Sequence, residues 1–275
     1  MTSRPFAQVD VFSAVPYRGN PVAVVLDGAG LTTEQMQQVA NWTNLSETTF
    51  VLPPTDPAAD YRVRIFTPTE ELPFAGHPTI GTCHAWLATT DHPGDTVVQE
   101  CGAGLVTLRR TGDRLAFAAP PLLRDEPVDE QLQARIARLL GIDRSAIRDA
   151  RWVDNGPGWV AVLLDDAKTV LGITPNAEDL TLGIVGPYPE GSPEAVEVRA
   201  FFPAGPLSVE DPVTGSLNAG LAQWLLRTGW LTAPYVASQG TALGRAGRVH
   251  VDQDADGTVW IGGDAVTSIR GEIEI

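Results

Sequence analysis

A histidine between a glycine and a proline is the first residue in this chain whose type and position could support chemistry. The stretch is ELPFAGHPTIGT, residues 71–82, and His77 is one of only four histidines. The pattern that follows indicates a helix, and a helix start carries unpaired N–H groups and partial positive charge. A small anion could therefore bind beside His77. The alternative is a turn residue that hydrogen-bonds locally and stabilises the loop before Pro78.

A second candidate is Glu47, the one charged residue between Trp42 and Leu52. Apolar surroundings disfavour the charged form of a carboxyl, and such a carboxyl can both accept and return a proton near neutral pH. The alternative is a surface-facing glutamate on an edge strand. The local sequence leaves both interpretations open.

The second half of the chain offers Asp211 and Ser216, in the stretch EDPVTGSLNAGL. Asp211 has an alternative as the N-terminal cap of a helix, since aspartate followed by proline at the first helical position is common. Such a cap can still reach a ligand. Ser216 has an alternative as a small packing residue in the first turn of that helix.

The two halves of the chain resemble each other, which indicates an internal duplication. YRVRIFTP resembles VEVRAFFP, GNPVAVVLD resembles GPGWVAVLLDD, and the similar segments keep the same order. The matched residues are Val63 with Val198, Pro68 with Pro203, Pro78 with Pro212, Gly81 with Gly215, and Ala85 with Ala219. This alignment predicts that His77 and Asp211 occupy equivalent places, just before the first turn of two related helices.

The elements that would position these residues are short strands and a few helices. VDVFSAV, PVAVVLD, TTFVLPP and YRVRIFTP are rich in β-branched residues and bounded by Gly, Pro or Asp, which is typical of strands. TTEQMQQVANWT has a cap and an apolar face, which predicts a helix. TIGTCHAWLATT and TGSLNAGLAQWLLRTG are predicted to be matching helices, each with small residues at its start.

Composition narrows the class of protein. The 275 residues include 19 Lys and Arg against 34 Asp and Glu, a formal charge of −15, and no basic patch that would favour nucleic acid. We find no signal-peptide pattern and no apolar run of membrane-spanning length, so we expect a cytoplasmic protein without a membrane partner. Neither a dinucleotide motif, a P-loop nor a metal-ligand spacing is apparent, so we predict no cofactor and no metal.

Five stretches together resemble the PhzF-like isomerases, named for a phenazine-biosynthesis enzyme and related in fold to diaminopimelate epimerase. They are DVFSAVPYRGNPVAVV, NLSETTFVLPP, VRIFTPTEELPFAGHPTIGT, VRAFFPAGPLSVEDPVTGSLNAGLAQWL and SQGTALGRAGRVHV, in the family's order. The resemblance implies an α+β fold of two pseudo-symmetric lobes. Each lobe would be a curled mixed or antiparallel sheet around a central helix, with the active site in the cleft between them. We expect an N-terminal lobe of residues 1–118, completed by about 264–275, and a C-terminal lobe of residues 119–263.

The resemblance also implies residue roles. Glu47 matches the family's general acid/base, and His77 and Asp211 match its other two catalytic residues. The matched substrate-binding residues are Asn20, Gly76, Gly215 and Ser216. The implied reaction is a cofactor-independent hydrogen shift on a small anionic metabolite that bears a carboxylate, in an enzyme that is usually a homodimer.

Two other functions stay open. One is a racemase or epimerase of an amino-acid-like substrate, in which Glu47 and another group act as opposed bases. The other is an interaction protein that kept the fold and lost the chemistry. Epimerases of this fold place a cysteine at each of two helix starts, whereas this chain has Gly76-His77 and Asp211 there. A two-thiol mechanism is therefore disfavoured.

The two cysteines provide a test of that conclusion. If Cys83 and Cys101 are structural, replacing both with alanine leaves the turnover number essentially unchanged. Steady-state kinetics with a confirmed substrate measures this, and circular dichroism controls for folding. Loss of most of the activity in a folded double variant would restore the thiol mechanism.

Overall fold

A computed structural model describes residues 1–174, 178–204 and 207–275. The chain forms two compact units: unit 1 comprises Met1–Ala118 and Gly262–Ile275, and unit 2 comprises Ala119–Ile261. No helix in the described ranges is long and apolar enough to cross a membrane.

Both units combine many short strands with few helices. The elements in chain order are β1 (Ser3–Val11), β2 (Asn20–Val25), α1 (Thr33–Thr43), β3 (Glu47–Leu52), β4 (Tyr61–Phe66), β5 (Glu71–Leu72), α2 (Gly76–Leu87), β6 (Thr96–Cys101), β7 (Gly104–Thr111), β8 (Arg114–Ala118), α3 (Glu130–Leu140), β9 (Ile147–Trp152), β10 (Val160–Leu164), α4 (Ala167–Gly172), β11 (Leu182–Pro187), β12 (Val196–Ala204), β13 (Leu207–Asp211), α5 (Gly215–Arg227), β14 (Tyr235–Gln239), β15 (Gly247–Gln253), β16 (Val259–Gly263) and β17 (Ala265–Glu274). Two single-turn 3₁₀ helices, Arg144–Ala146 and Thr241–Leu243, complete the list.

The sheet of unit 1 curls around α2. Strand β1 pairs antiparallel with β17 and β2, β2 pairs parallel with β3, and β3 pairs antiparallel with β4. Beyond β4 the sheet continues through the parallel neighbour β6 to β7 and β8, which pair antiparallel. Helix α2 contacts strands from both ends of this order, including β17 and β8. One helix can meet both ends of a sheet only if the sheet bends around it.

Unit 2 repeats the same pairing pattern. Strands β9 and β10 are antiparallel, β10 and β11 are parallel, and β11 and β12 are antiparallel. Strand β12 then pairs antiparallel with β13 and parallel with β14, and β14 pairs antiparallel with β15. Strands β1 through β7 of unit 1 pair with the same directions and in the same order. The internal duplication predicted from the sequence is therefore confirmed by the strand pairing.

The structure corrects how the two halves align at the central helices. Helices α2 and α5 begin at Gly76 and Gly215, so ELPFAG corresponds to EDPVTG. His77 is the second residue of α2, whereas Asp211 ends β13, before the helix. The predicted equivalence of these two residues, and that of Pro78 with Pro212, is therefore wrong. Each helix start has a proline nearby, but the two prolines differ in position. Pro78 lies in the first turn of α2, whereas Pro212 lies in the loop before α5.

An ion pair that recurs in both units supports the corrected alignment. Arg64 on β4 binds Glu71 on β5, with Nη2 2.5 Å from Oε2. Arg199 on β12 binds Glu210 on β13, with Nη2 2.7 Å from Oε2. Each pair bridges the hairpin that leads into the central helix. The hairpin of unit 2 is the longer one, which explains why a single constant spacing does not align the halves.

Glycines allow the central helices to approach their surroundings closely. A Cβ at Gly81 of α2 would lie 2.3 Å from Val22 Cγ1 and 2.9 Å from Val11 Cγ2. A Cβ at Gly220, the same position of α5, would lie 2.4 Å from the carbonyl oxygen of Val153. Distances below 3.0 Å force a neighbour to move, and these neighbours belong to the core. Both helices therefore depend on a residue without a side chain at this point.

Replacing Gly81 by alanine tests this packing. Alanine favours a helix over glycine by about 1 kcal/mol, but overpacking a core costs about 1–3 kcal/mol. We expect Gly81→Ala to lower the free energy of unfolding, measured by urea denaturation. Gly172→Ala is the matched control, because a Cβ at that helical glycine has open space. An unchanged or raised stability in Gly81→Ala would contradict the close approach.

Candidate active site

Glu47 begins a strand inside the sheet of unit 1. Helix α1 ends at Thr43, and its C-cap Asn44 adopts a left-handed conformation with φ 53°, which asparagine tolerates better than most residues. The chain turns there and enters β3, where Glu47 pairs with Val22 of β2. Strand β3 lies between β2 and β4, and 14% of the Glu47 side chain is exposed. The alternative of a surface glutamate on an edge strand is therefore wrong.

His77 contacts the Glu47 carboxyl from the first turn of α2. Its Nε2 lies 3.3 Å from Glu47 Oε2, and the ring is almost completely buried. Burial lowers the pKa of His77 to about 3, and a hydrogen bond with the Pro21 backbone opposes this shift without reversing it. The imidazole is therefore neutral at physiological pH. The contact with Glu47 is then a contact with a neutral ring and not an ion pair.

Asn20 contacts the other nitrogen of the same ring. It is the first residue of β2 and is fully buried, and its Nδ2 lies 3.4 Å from His77 Nδ1. The loop before it is held by Asp10, whose Oδ2 accepts hydrogen bonds from the backbone N–H groups of Arg18 and Gly19. The structure therefore brings three sequence-predicted residues together in unit 1: Glu47, His77 and Asn20.

Threonine hydroxyls attach β3 to both helices of unit 1. Thr82 of α2 donates to Thr49 Oγ1 at 2.8 Å, and the hydroxyls of Thr43 and Thr48 lie 2.8 Å apart. Thr49 in turn donates to the carbonyl of Ala23 on β2. A side chain at the start of β3 is thus fixed relative to the start of α2. Thr48 and Thr49 lie in SETTF and Thr82 lies in TIGT, but a local sequence pattern does not indicate that these hydroxyls meet.

The start of α2 has the form of an anion-binding element. Ala75 is the N-cap and has no side-chain oxygen, so no side chain caps the first turn. Gly76 follows and is buried, with His77 beside it. Backbone N–H groups at a helix start favour a carboxylate. The first turn therefore can bind an anion next to the Glu47–His77 contact.

In unit 2, Asp211 contacts the start of α5 without being its N-cap residue. Thr214 is the N-cap, and its hydroxyl donates to Asp211 Oδ2 at 2.6 Å. Gln239 also binds Thr214, because its Oε1 accepts the Thr214 N–H and its Nε2 donates to the Thr214 hydroxyl. The alternative of Asp211 as a cap followed by proline at the first helical position is therefore wrong, since Pro212 precedes the helix.

Ser216 is the second residue of α5 and has two partners that sequence reasoning missed. Its hydroxyl oxygen accepts a hydrogen bond of 3.0 Å from Trp159 Nε1. Its carbonyl accepts one of 2.9 Å from Asn155 Nδ2. An asparagine thus contacts the second residue of each central helix, but Asn20 contacts the ring of His77 and Asn155 contacts the main-chain carbonyl of Ser216. The similar segments GNPVAVVLD and GPGWVAVLLDD did not indicate this contact, because the second begins one residue after Asn155.

The cysteines are removed from these helix starts. Cys83 lies in the middle of α2, where burial raises the pKa of its thiol to about 12. Burial also raises the pKa of Cys101, whose Sγ contacts the Gly104 carbonyl. A thiol that resists ionisation is a poor base. In the described ranges, His, Cys, Asp and Glu form no cluster of three or more that could hold a metal ion.

Comparison with known proteins places the chain among its relatives. The family model described as "Phenazine biosynthesis-like protein" matches residues 9–271. Antisense-enhancing sequence 1 of Schizosaccharomyces pombe is 37% identical, with 99% of each chain covered. Trans-2,3-dihydro-3-hydroxyanthranilate isomerase of Pseudomonas fluorescens is 33% identical, with 96% of this chain and 97% of the relative covered.

A solved structure shows the same fold. The predicted epimerase from Pseudomonas aeruginosa superposes with a TM-score of 0.84 at 27% identity, and 99% of each chain is covered. The predicted epimerase-like α+β fold class is thereby confirmed. The match over residues 9–271 and the two relatives above 30% identity lead to one conclusion: the chain belongs to the phenazine biosynthesis-like (PhzF) family.

Proposed function

We propose that this protein catalyses a cofactor-independent hydrogen shift on a small carboxylate-bearing metabolite, with Glu47 as the general acid/base. As a member of this family the chain is an isomerase. The observation that carries the finer proposal is the contact of the Glu47 carboxyl with a buried, neutral His77. A hydrogen shift needs one group that removes a proton and returns it, and Glu47 is placed to be that group.

The neutral state of His77 matters for the chemistry. A protonated imidazole 3.3 Å away would stabilise the carboxylate and oppose return of the proton. A neutral imidazole packs against the carboxyl and limits its position without adding charge. Glu47 can then take a proton from a carbon beside an activating group and return it elsewhere on the same conjugated skeleton. Proton number and electron number are unchanged over the whole reaction, as an isomerisation requires.

The substrate class follows from the relatives and from the helix starts. The relative from Pseudomonas fluorescens is named for trans-2,3-dihydro-3-hydroxyanthranilate, a cyclic carboxylate with amino and hydroxyl groups. We propose a substrate of this class for the present chain. Its carboxylate would bind backbone N–H groups, for which Gly76 and Gly215 are the candidates. The same groups would stabilise an enolate-like state of the substrate.

Further parts of the proposal rest on the family resemblance alone. Asp211 is assigned to positioning of the substrate and relay of charge, and Asn20 and Ser216 to substrate binding. A homodimer and a cytoplasmic location belong to the same group of expectations.

An epimerase is the second candidate, because Asp211 provides another carboxylate near a helix start. Unit 2 has no carboxylate at the position that corresponds to Glu47, which argues against two equivalent bases. Glu47 lies three residues before Phe50, the partner of Arg64, and Thr181 lies three residues before Ile184, the partner of Arg199. The next residue, Leu182, begins β11. Neither threonine nor leucine can act as a base near neutral pH. The repeat therefore conserved the fold and not the base, which favours a single-base hydrogen shift.

Replacement of Glu47 by glutamine tests the proposal. The amide keeps the shape but neither accepts nor donates a proton at neutral pH, and general acid/base groups contribute about 10²- to 10⁴-fold in rate. We expect Glu47→Gln to fold and to bind 3-hydroxyanthranilate, an aromatic analogue of the substrate class. Deuterium incorporation into trans-2,3-dihydro-3-hydroxyanthranilate in D₂O should fall by at least about 100-fold.

Glu70→Gln is the matched control, because Glu70 is exposed and the hydrogen bonds of Thr67 reach only its backbone. Near-normal exchange in Glu47→Gln together with its loss in Asp211→Asn would assign the base to Asp211. Inversion of a stereocentre, in place of a shifted double bond, would establish the epimerase instead.

The buried neutral histidine also predicts a pH dependence of stability. The pKa of His77 is about 3 in the folded protein, whereas an unperturbed histidine has a pKa of 6.5, so only the unfolded state binds a proton as pH falls through 6.5. The contribution of neutral His77 to the free energy of unfolding is fully present above pH 6.5 and is lost progressively toward pH 3. Between pH 7 and pH 5 the loss is about 2 kcal/mol.

We expect urea denaturation of the wild-type protein to show this loss and His77→Gln to lack it. His84, whose pKa burial also lowers, is present in both proteins, so its contribution cancels in the comparison. An equal decline in both proteins would show that His77 is not buried in its neutral form.

A further inference from the structure

The hydrogen bond between Trp159 and Ser216 determines the direction in which the serine can donate. An indole N–H is only a donor, so the Ser216 hydroxyl oxygen must be the acceptor in the 3.0 Å contact. A hydroxyl also has one proton of its own to donate. Within residues 1–174, 178–204 and 207–275, the structure shows no acceptor for that proton. Ser216 is only partly buried, so its proton can reach a ligand.

Trp159 is held firmly enough to impose this arrangement. The side chain is fully buried, and its ring packs against Phe202 in an edge-on contact with centroids 4.7 Å apart. The loop before it is closed by Asp154, whose Oδ1 accepts the N–H groups of Gly156 and Gly158 at 2.8 and 2.6 Å.

The backbone of Ser216 is fixed independently of its hydroxyl. Asn155, in the same loop as Trp159, donates from Nδ2 to the Ser216 carbonyl at 2.9 Å. Ser216 also lies in the first turn of α5, so its backbone is helical. One loop therefore holds both the main chain and the hydroxyl of this residue.

We propose that Trp159 is a positioning residue that fixes Ser216 as a hydrogen-bond donor, so that the start of α5 accepts a carboxylate or another acceptor group and not an ammonium group. The assignment rests on the proposed function, in which Ser216 binds the substrate. It specifies that Ser216 donates the hydrogen bond to the substrate, and that Trp159 determines this direction. A serine without such a partner can rotate and serve either as donor or as acceptor.

Nuclear magnetic resonance tests the polarity directly. Donation from Ser216 to a carboxylate polarises the hydroxyl and strengthens its bond with the indole. We therefore expect the Trp159 Nε1–H signal, assigned by its absence in Trp159→Phe, to move downfield on titration with acetate and with 3-hydroxyanthranilate. The signal should not move in Ser216→Ala. A signal that neither carboxylate moves in the wild-type protein would overturn the inference.

A double-mutant cycle tests whether Trp159 acts through Ser216. Calorimetry with 3-hydroxyanthranilate should give about 10-fold weaker binding for Ser216→Ala, which loses a bond to a charged group. Trp159→Phe keeps an aromatic ring and should weaken binding by roughly 3-fold. In the Ser216→Ala background the same change should have no further effect. Additive losses would show that Trp159 supports folding and not the polarity of Ser216.

Trp224→Phe is the matched control. Trp224 lies in α5 and is equally buried, but its Nε1 makes no hydrogen bond within the described residues. Its replacement should leave binding unchanged. If acetate moves the Trp159 signal while 3-hydroxyanthranilate does not bind, the inference stands and the proposed substrate class is wrong. If 3-hydroxyanthranilate binds and Glu47→Gln abolishes exchange while Trp159→Phe binds normally, the inference is wrong and the proposed function stands.

Discussion

The contact between Glu47 and His77 depends on burial, and much of unit 1 is arranged to produce that burial. The curled sheet encloses α2, so a histidine in its first turn loses access to water and stays neutral. The ring then orients a carboxyl without adding charge. Asn20 on the next strand contacts the opposite nitrogen of the ring. Gly81 permits the close approach of helix and strands that makes the enclosure possible.

The two units show how a duplicated fold can diverge in chemistry while its framework is retained. Strand pairing, the ion pair on the hairpin and the asparagine that contacts the second helical residue recur in both. The contacted residue differs, since it is His77 in unit 1 and Ser216 in unit 2. At the position of Glu47, unit 2 has Thr181 followed by Leu182 and no carboxylate. The duplication thus retained the strand pairing while the side chains at the central helix and at the neighbouring strand changed.

Several features were predictable from the sequence because they depend on local pattern. The strands and helices follow from β-branched runs, caps and helical periodicity, and the duplication follows from similar segments in the same order. Glu47, His77 and Asp211 were selected by their setting in motifs that the family shares. The register between the halves was not predictable in this way. Proline spacing near α2 and α5 allowed two alignments, and only the helix boundaries distinguished them.

The sequence by itself determined the elements, the repeat, the family and the residues to consider. Only the tertiary structure decided that Glu47 lies on an interior strand, that His77 is neutral, and that Trp159 reaches Ser216 across 57 positions of the chain. The physical reason is that protonation and hydrogen-bond direction depend on burial and on neighbours in space. Elements distant in the chain supply those neighbours, and a local sequence pattern carries no information about which of them will meet.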